Sequence, residues 1–284
     1  MAEQIIISND RIRATISTLG AEIQSVTVDG KENIWEGDPN VWSGHAPLLF
    51  PICGGLRDDA YVFGGKSYTL EKHGYARFAE FTAEKVSENE ATFLLCSDDA
   101  SKKQFPFEYE LRVTYTIEEN KINVVYSVKN TDTKDMYFSI GAHEAYTCPE
   151  GIEEYSIEFE KSENLVCNAL EGNYLSRETY SVGENTKELA LKYDYFAVDA
   201  LVFLNLKSRK AFLKNRTTGR KIEVDYDGFD YLLLWTKPGA KYICIEPWCG
   251  IPDFADSTGD FTKKEGIIRL AAGDTCVRTH SMVF

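Results

Sequence analysis

Three short segments of the 284-residue chain hold side chains whose types could move a proton: "EKHGYARF" with His73 and Arg77, "GAHEAYTCP" with His143, and "YICIEPWCGIPD" with Glu246. A carboxylate that accepts a proton and an imidazole that donates one are together sufficient for general acid–base chemistry on a hydroxyl. Taken singly, each has an ordinary explanation. A histidine in a soluble protein is more often a satisfied hydrogen-bonding group than a catalyst, and Glu246 could be the partner of an arginine such as Arg77. A carboxylate at the end of an apolar run is nonetheless costly unless something pairs or uses it. The other two histidines, His45 and His280, carry no motif and read as surface or structural.

The elements that must position these residues are strands. "RIRATIS", "EIQSVTV", "ELRVTYTI", "KINVVYSVKN" and "RKIEVDY" place apolar or β-branched residues at every second position, the pattern of a half-buried strand. "VDGKEN", "FGGKSY", "EENK", "TTGR" and "DYDGF" are the turn signals between them. "ALVFLNL" and "YLLLWT" are apolar throughout, which predicts strands covered on both faces. The best helical candidate, "SDDASKKQFP", is short and stops at Pro106. In "MYFSIGAHEAY" a strand leads to Gly141, so His143 is expected at its end or in the loop after it. In "YICIEP" Pro247 is expected to hold Glu246 extended and to end the ladder. With no internal repeat and no linker, residues 1–284 read as a single all-β domain, two large antiparallel sheets packed face to face.

Composition narrows the partners. A net charge of −14, with no run of Lys and Arg, argues against a phosphate-backbone partner, so no nucleic acid is expected, and an uncharged small molecule fits better. Seven cysteines with no C-x-x-C pair signal neither a disulfide framework nor a zinc knuckle. The four histidines include no H-x-H or H-x₃-H pair, so no metal is expected either. No basic start with an apolar core opens the chain and no apolar run is long enough to span a bilayer, so the expectation is a cytoplasmic protein with no membrane partner.

The ordered set "HGYAR", "GAHEAY" and "CIEPWCGIPD", with "APLLFPICGGL" and "DALVF", resembles the aldose 1-epimerase (galactose mutarotase-like) family, most closely its LacX-like branch, over nearly the whole chain. That resemblance implies a β-supersandwich and a cofactor-free mutarotase that interconverts the α and β anomers of a small-molecule sugar. Carried over residue by residue, it makes Glu246 the general base, His143 the general acid, and His73 and Asp199 sugar-binding residues. Arg77 belongs to the first motif, where contact with substrate and a structural pairing are equally open. Two departures stand out. The family's usual arginine after "LFP" is replaced by Gly55, leaving Arg57 as the candidate substitute, and the proline that usually follows the histidine is replaced by Glu144.

Opening the sugar ring needs a proton removed from the C1 hydroxyl and one delivered to the ring oxygen. A carboxylate of ordinary pKa near 4.3 is ready to act as base at neutral pH, and a carboxylate beside His143, such as Glu144, would raise the imidazole pKa in the useful direction. Trp248 and Tyr75 are candidates for an aromatic wall against the sugar. Two other readings stay open: an epimerase for a phosphorylated hexose, which would need two or more cations around the pocket, and a sugar-binding or sensing protein without catalysis.

Overall fold

The computed structural model describes residues 2–284. Its largest unit is a fourteen-stranded antiparallel sheet, joined by a four-stranded sheet over residues 4–32 and two two-stranded ribbons. Sheets this wide curl or split in order to bury their apolar faces. Here one continuous core contains residues from distant parts of the strand order, among them Phe93, Val124, Ile157, Val224 and Ile245, all fully buried. The sheet therefore closes over its own interior, and the hydrogen-bonded path runs on where two separate sheets were expected. The all-β expectation holds.

Local chemistry accounts for the strands. Tyr109–Glu118 and Lys121–Asn130 alternate buried and half-buried positions along their length and pair in unbroken register. Asp29 and Gly30 both take positive φ, as do Gly64 and Gly65, the requirement of a tight two-residue hairpin turn. The helical candidate before Pro106 is a single 3-10 turn, Ser101–Lys103, entered through reciprocal bonds between Asp98 and Ser101. The irregular hairpin formed by Tyr155–Glu171 and Tyr174–Ala190 has no clear alternation, and the sequence did not announce it. All seven cysteines are unpaired, and no helix among the described residues is long and apolar enough to cross a membrane.

Pro247 does not end its strand. Tyr242–Cys249 runs straight through it and is buried at every position. On one side Leu232 faces Pro247 in an intact ladder with Tyr231–Trp235. On the other, the neighbouring strand is interrupted where the proline has no N–H to offer: Ile140–Gly141 pairs with Cys249 and Trp248, and Glu144–Thr147 resumes opposite Ile245. The register is unchanged across that gap, so His143 lies directly opposite Glu246.

Strand alternation sends Glu144 to the face opposite His143. There its carboxylate sits 3.1 Å from the imidazole of His280, both side chains fully enclosed, with the ring of Tyr126 stacked on His280. Removing one member of such a pair strands the other without water. Glu144→Ala is therefore expected to lower unfolding free energy by about 3–5 kcal/mol in urea denaturation, whereas a loss under about 1 kcal/mol would show the pair to be structurally idle.

Candidate active site

A row of cross-strand neighbours forms the floor of one cleft. His143 stands opposite Glu246, Glu246 opposite Leu233, and Leu233 opposite Val202, all on the same face of adjacent strands. One pleat along, Trp235 and Trp248 join the same surface. The cleft has a volume of about 680 Å³ and is lined by all of these together with His73, Arg77 and Asp199. His143 and Glu246, more than 100 positions apart in sequence, are thus brought together by register.

His143 Nε2 lies 3.3 Å from Glu246 Oε2, and both side chains are almost completely buried. The imidazole is boxed by aromatic rings, with Trp42 stacked on one face at 5.4 Å and Trp235 edge-on at 5.7 Å. Burial pulls the His143 pKa down to about 3, with Lys72 and Arg77 adding to the effect. Burial also pushes the Glu246 carboxyl well above the usual carboxylate range, reinforced by Asp199. Glu144 does not raise the His143 pKa as expected, because it points into the core and pairs with His280.

His73 is placed by backbone chemistry. It and Gly74 both adopt positive φ, and a Cβ at Gly74 would collide with the Phe50 carbonyl. The His73 N–H donates to Gly54 O at 2.9 Å, and the Gly54 N–H donates to His73 Nδ1 at 3.1 Å. With Nδ1 accepting, the neutral ring carries its proton on Nε2. Burial, followed by His143 and Lys72, holds the His73 pKa well below the ordinary value and keeps it neutral. Its ring is edge-on to His143 at 5.6 Å and to Trp248 at 5.4 Å.

Asp199, just ahead of the strand Leu201–Phe203, meets Lys72 Nζ at 3.3 Å on the cleft wall. Arg77 donates to the Lys72 carbonyl at 2.9 Å and lies over the Phe78 ring, so the suggested Arg77–Glu246 pair does not form. Trp248 donates Nε1–H to the Ala142 carbonyl at 3.1 Å and lines the cleft while almost completely buried.

Two candidates fall away. Arg57 is half exposed, donates to the Ser257 carbonyl at 3.1 Å and does not line the cleft. The space over Gly55 is taken by Asn173 at the tip of the long hairpin, 3.0 Å from where a Cβ would stand. Tyr75 points into the core and hydrogen-bonds Tyr109 at 2.9 Å. Of the two histidines set aside, His280 is structural, wholly buried against Glu144, whereas His45 lines the cleft. Lys72, Lys237, Trp42 and Trp235 are cleft residues that the sequence reading missed. Lys72 was adjacent to His73 and Trp235 closed a strand already identified, whereas Trp42 lies in a loop with no periodic signal.

Because folded His143 resists protonation while the unfolded residue accepts a proton below about pH 6.5, acidification favours the unfolded chain over the window from about 6.5 down to 3. Between pH 6.5 and 5 the wild type should lose about 1–2 kcal/mol more stability than His143→Asn. Parallel urea curves for the two proteins across that range would contradict this.

The aldose 1-epimerase family model matches residues 3–277. Chromosomal protein LacX of Lactococcus lactis subsp. lactis is 33% identical over 293 residues, covering 98% of both chains. A galactose mutarotase related enzyme from Lactobacillus acidophilus superposes with a TM-score of 0.93 at 33% identity, covering 99% of this chain and 97% of that one. A galactose mutarotase-like protein from Lactobacillus casei ATCC 334 gives 0.93 at 30% identity, with 99% of each covered. The chain belongs to the aldose 1-epimerase family of isomerase-type carbohydrate enzymes, on its LacX-like branch.

Proposed function

We propose that this protein is a mutarotase, exchanging the α and β anomers of a hexose with Glu246 as base and His143 as acid. The observation that carries the reading is the buried 3.3 Å contact between the two. In a pyranose the C1 hydroxyl oxygen and the ring oxygen are bonded to the same carbon, closer together than any hydrogen-bond length. Two adjacent proton-handling groups on one wall suit that pair of oxygens.

One proton held between the two residues gives either a carboxylic acid beside a neutral imidazole or a carboxylate beside an imidazolium. Burial favours the first. Sugar hydroxyls that hydrogen-bond the charged groups favour the second, which is the form that can remove the C1 hydroxyl proton and protonate the ring oxygen. The ring opens to the aldehyde, C1 rotates, and the reverse transfers close the ring on its other face. His73 Nε2–H and Asp199 are the groups offered to the remaining hydroxyls, and Trp248 supplies apolar contact.

A second reading, a phosphorylated hexose as substrate, is favoured by one observation: Lys72, Arg77 and Lys237 all line the cleft. Two of them are already committed, Lys72 to Asp199 and Lys237 to the Val41 carbonyl, which favours the free sugar.

One experiment separates these possibilities: NMR exchange of fresh α-anomers, free and 6-phosphorylated, with wild type and Glu246→Gln. The mutarotase reading predicts acceleration by wild type, with a fall of about 10²–10⁴ in the folded, sugar-binding variant. Faster turnover of the 6-phosphates favours the second reading. Sugar binding without any acceleration identifies a binding protein and overturns the enzyme.

A further inference from the structure

Cys244, buried beside His143 and Glu246, is a reactive side chain to which the proposed chemistry gives no task. It precedes Glu246 by two residues on the same strand, so both project from the same face, and it lies opposite Ala145, two residues beyond His143 on the neighbouring strand. The His143 nitrogen, the Cys244 sulfur and a Glu246 oxygen all lie within 4.8 Å of one another, and all three residues are buried. Among the described residues the Cys244 thiol makes no hydrogen bond, unlike those of Cys148 and Cys249, which donate to carbonyls.

We infer that His143, Cys244 and Glu246 form a three-ligand site for a zinc-like divalent cation, with the fourth position open to the cleft. Ligands at about 2.0–2.1 Å in tetrahedral array stand about 3.3–3.4 Å apart, which matches the 3.3 Å between His143 Nε2 and Glu246 Oε2. The sulfur, on a single rotatable bond, has only to swing inward. One nitrogen, one thiolate and one carboxylate form a donor set for zinc, cobalt or cadmium and a poor one for magnesium or calcium. Binding converts the thiol to a thiolate and releases its proton to solvent, so it strengthens as pH rises. The expectation of no metal rests on the lack of a C-x-x-C pair and of paired histidines, local patterns that cannot register ligands contributed by two strands.

A cation held there occupies both groups assigned to proton transfer, so it blocks anomer exchange. That consequence rests on the mutarotase reading, whereas the binding itself does not. The test is titration of the metal-free protein with Co²⁺, read as thiolate-to-cobalt charge-transfer absorption in the near ultraviolet, alongside exchange assays with added Zn²⁺. Wild type should show the band at one equivalent and lose it when Zn²⁺ displaces cobalt. Cys244→Ala and Cys244→Ser should both lack it, keep the metal-free exchange rate, and need at least ten times more Zn²⁺ for half-inhibition. No band in wild type with excess Co²⁺, or an equal band in both variants, overturns the site. A protein with no exchange activity still gives the cobalt band, so failure of the functional reading and failure of this one are told apart.

Discussion

A carboxylate facing an imidazole across two strands, both almost completely buried at the floor of the cleft, is the constraint around which the cleft is organised. Neither group is stable in that position as an isolated charge. Burial pushes their proton affinities in opposite directions, His143 down and Glu246 up, so the neutral imidazole beside a carboxylic acid is the form that burial favours. Trp42 and Trp235 enforce this by walling the imidazole, and Trp248 closes the floor near His73.

The backbone meets that constraint through Pro247. A proline inside a covered strand removes one ladder donor, and the neighbouring strand is interrupted at the point where the donor is missing. His143 sits in that interruption with its register kept. The same alternation that turns it toward the cleft turns Glu144 into the core, where His280 receives it. Two carboxylate–imidazole pairs therefore lie on opposite faces of one short stretch of sheet, one open to a cleft and one sealed.

Much of this was legible in the chain because it depends on local pattern. Alternation and turn dipeptides identified the strands, and the histidine and glutamate segments stood out because ionisable residues interrupt apolar runs. What could not be read depends on tertiary placement. Pro247 looked like a strand end because its missing N–H is tolerable only beside a particular neighbour. Arg57 looked like a substitute for an absent arginine because sequence proximity cannot show that Asn173 fills the space over Gly55. Tyr75 has the residue type of a wall, but its hydroxyl is turned to Tyr109. The long hairpin escaped notice because its two seventeen-residue strands pair through repeated register shifts instead of a steady alternation. Trp42 and Lys237 reach the cleft from loops whose local sequence carries no sign of it.

The central claim is that His143 and Glu246 hold one proton between them and that a bound sugar moves it onto the imidazole. Nitrogen-15 NMR of histidine-labelled protein reads this directly. The account predicts that without sugar the His143 ring stays neutral from pH 7 down to at least 5, and that a saturating aldose at pH 7 shifts both ring nitrogens toward the imidazolium position. A His143 ring that titrates near the ordinary 6.5, or one that sugar leaves unchanged, would contradict it.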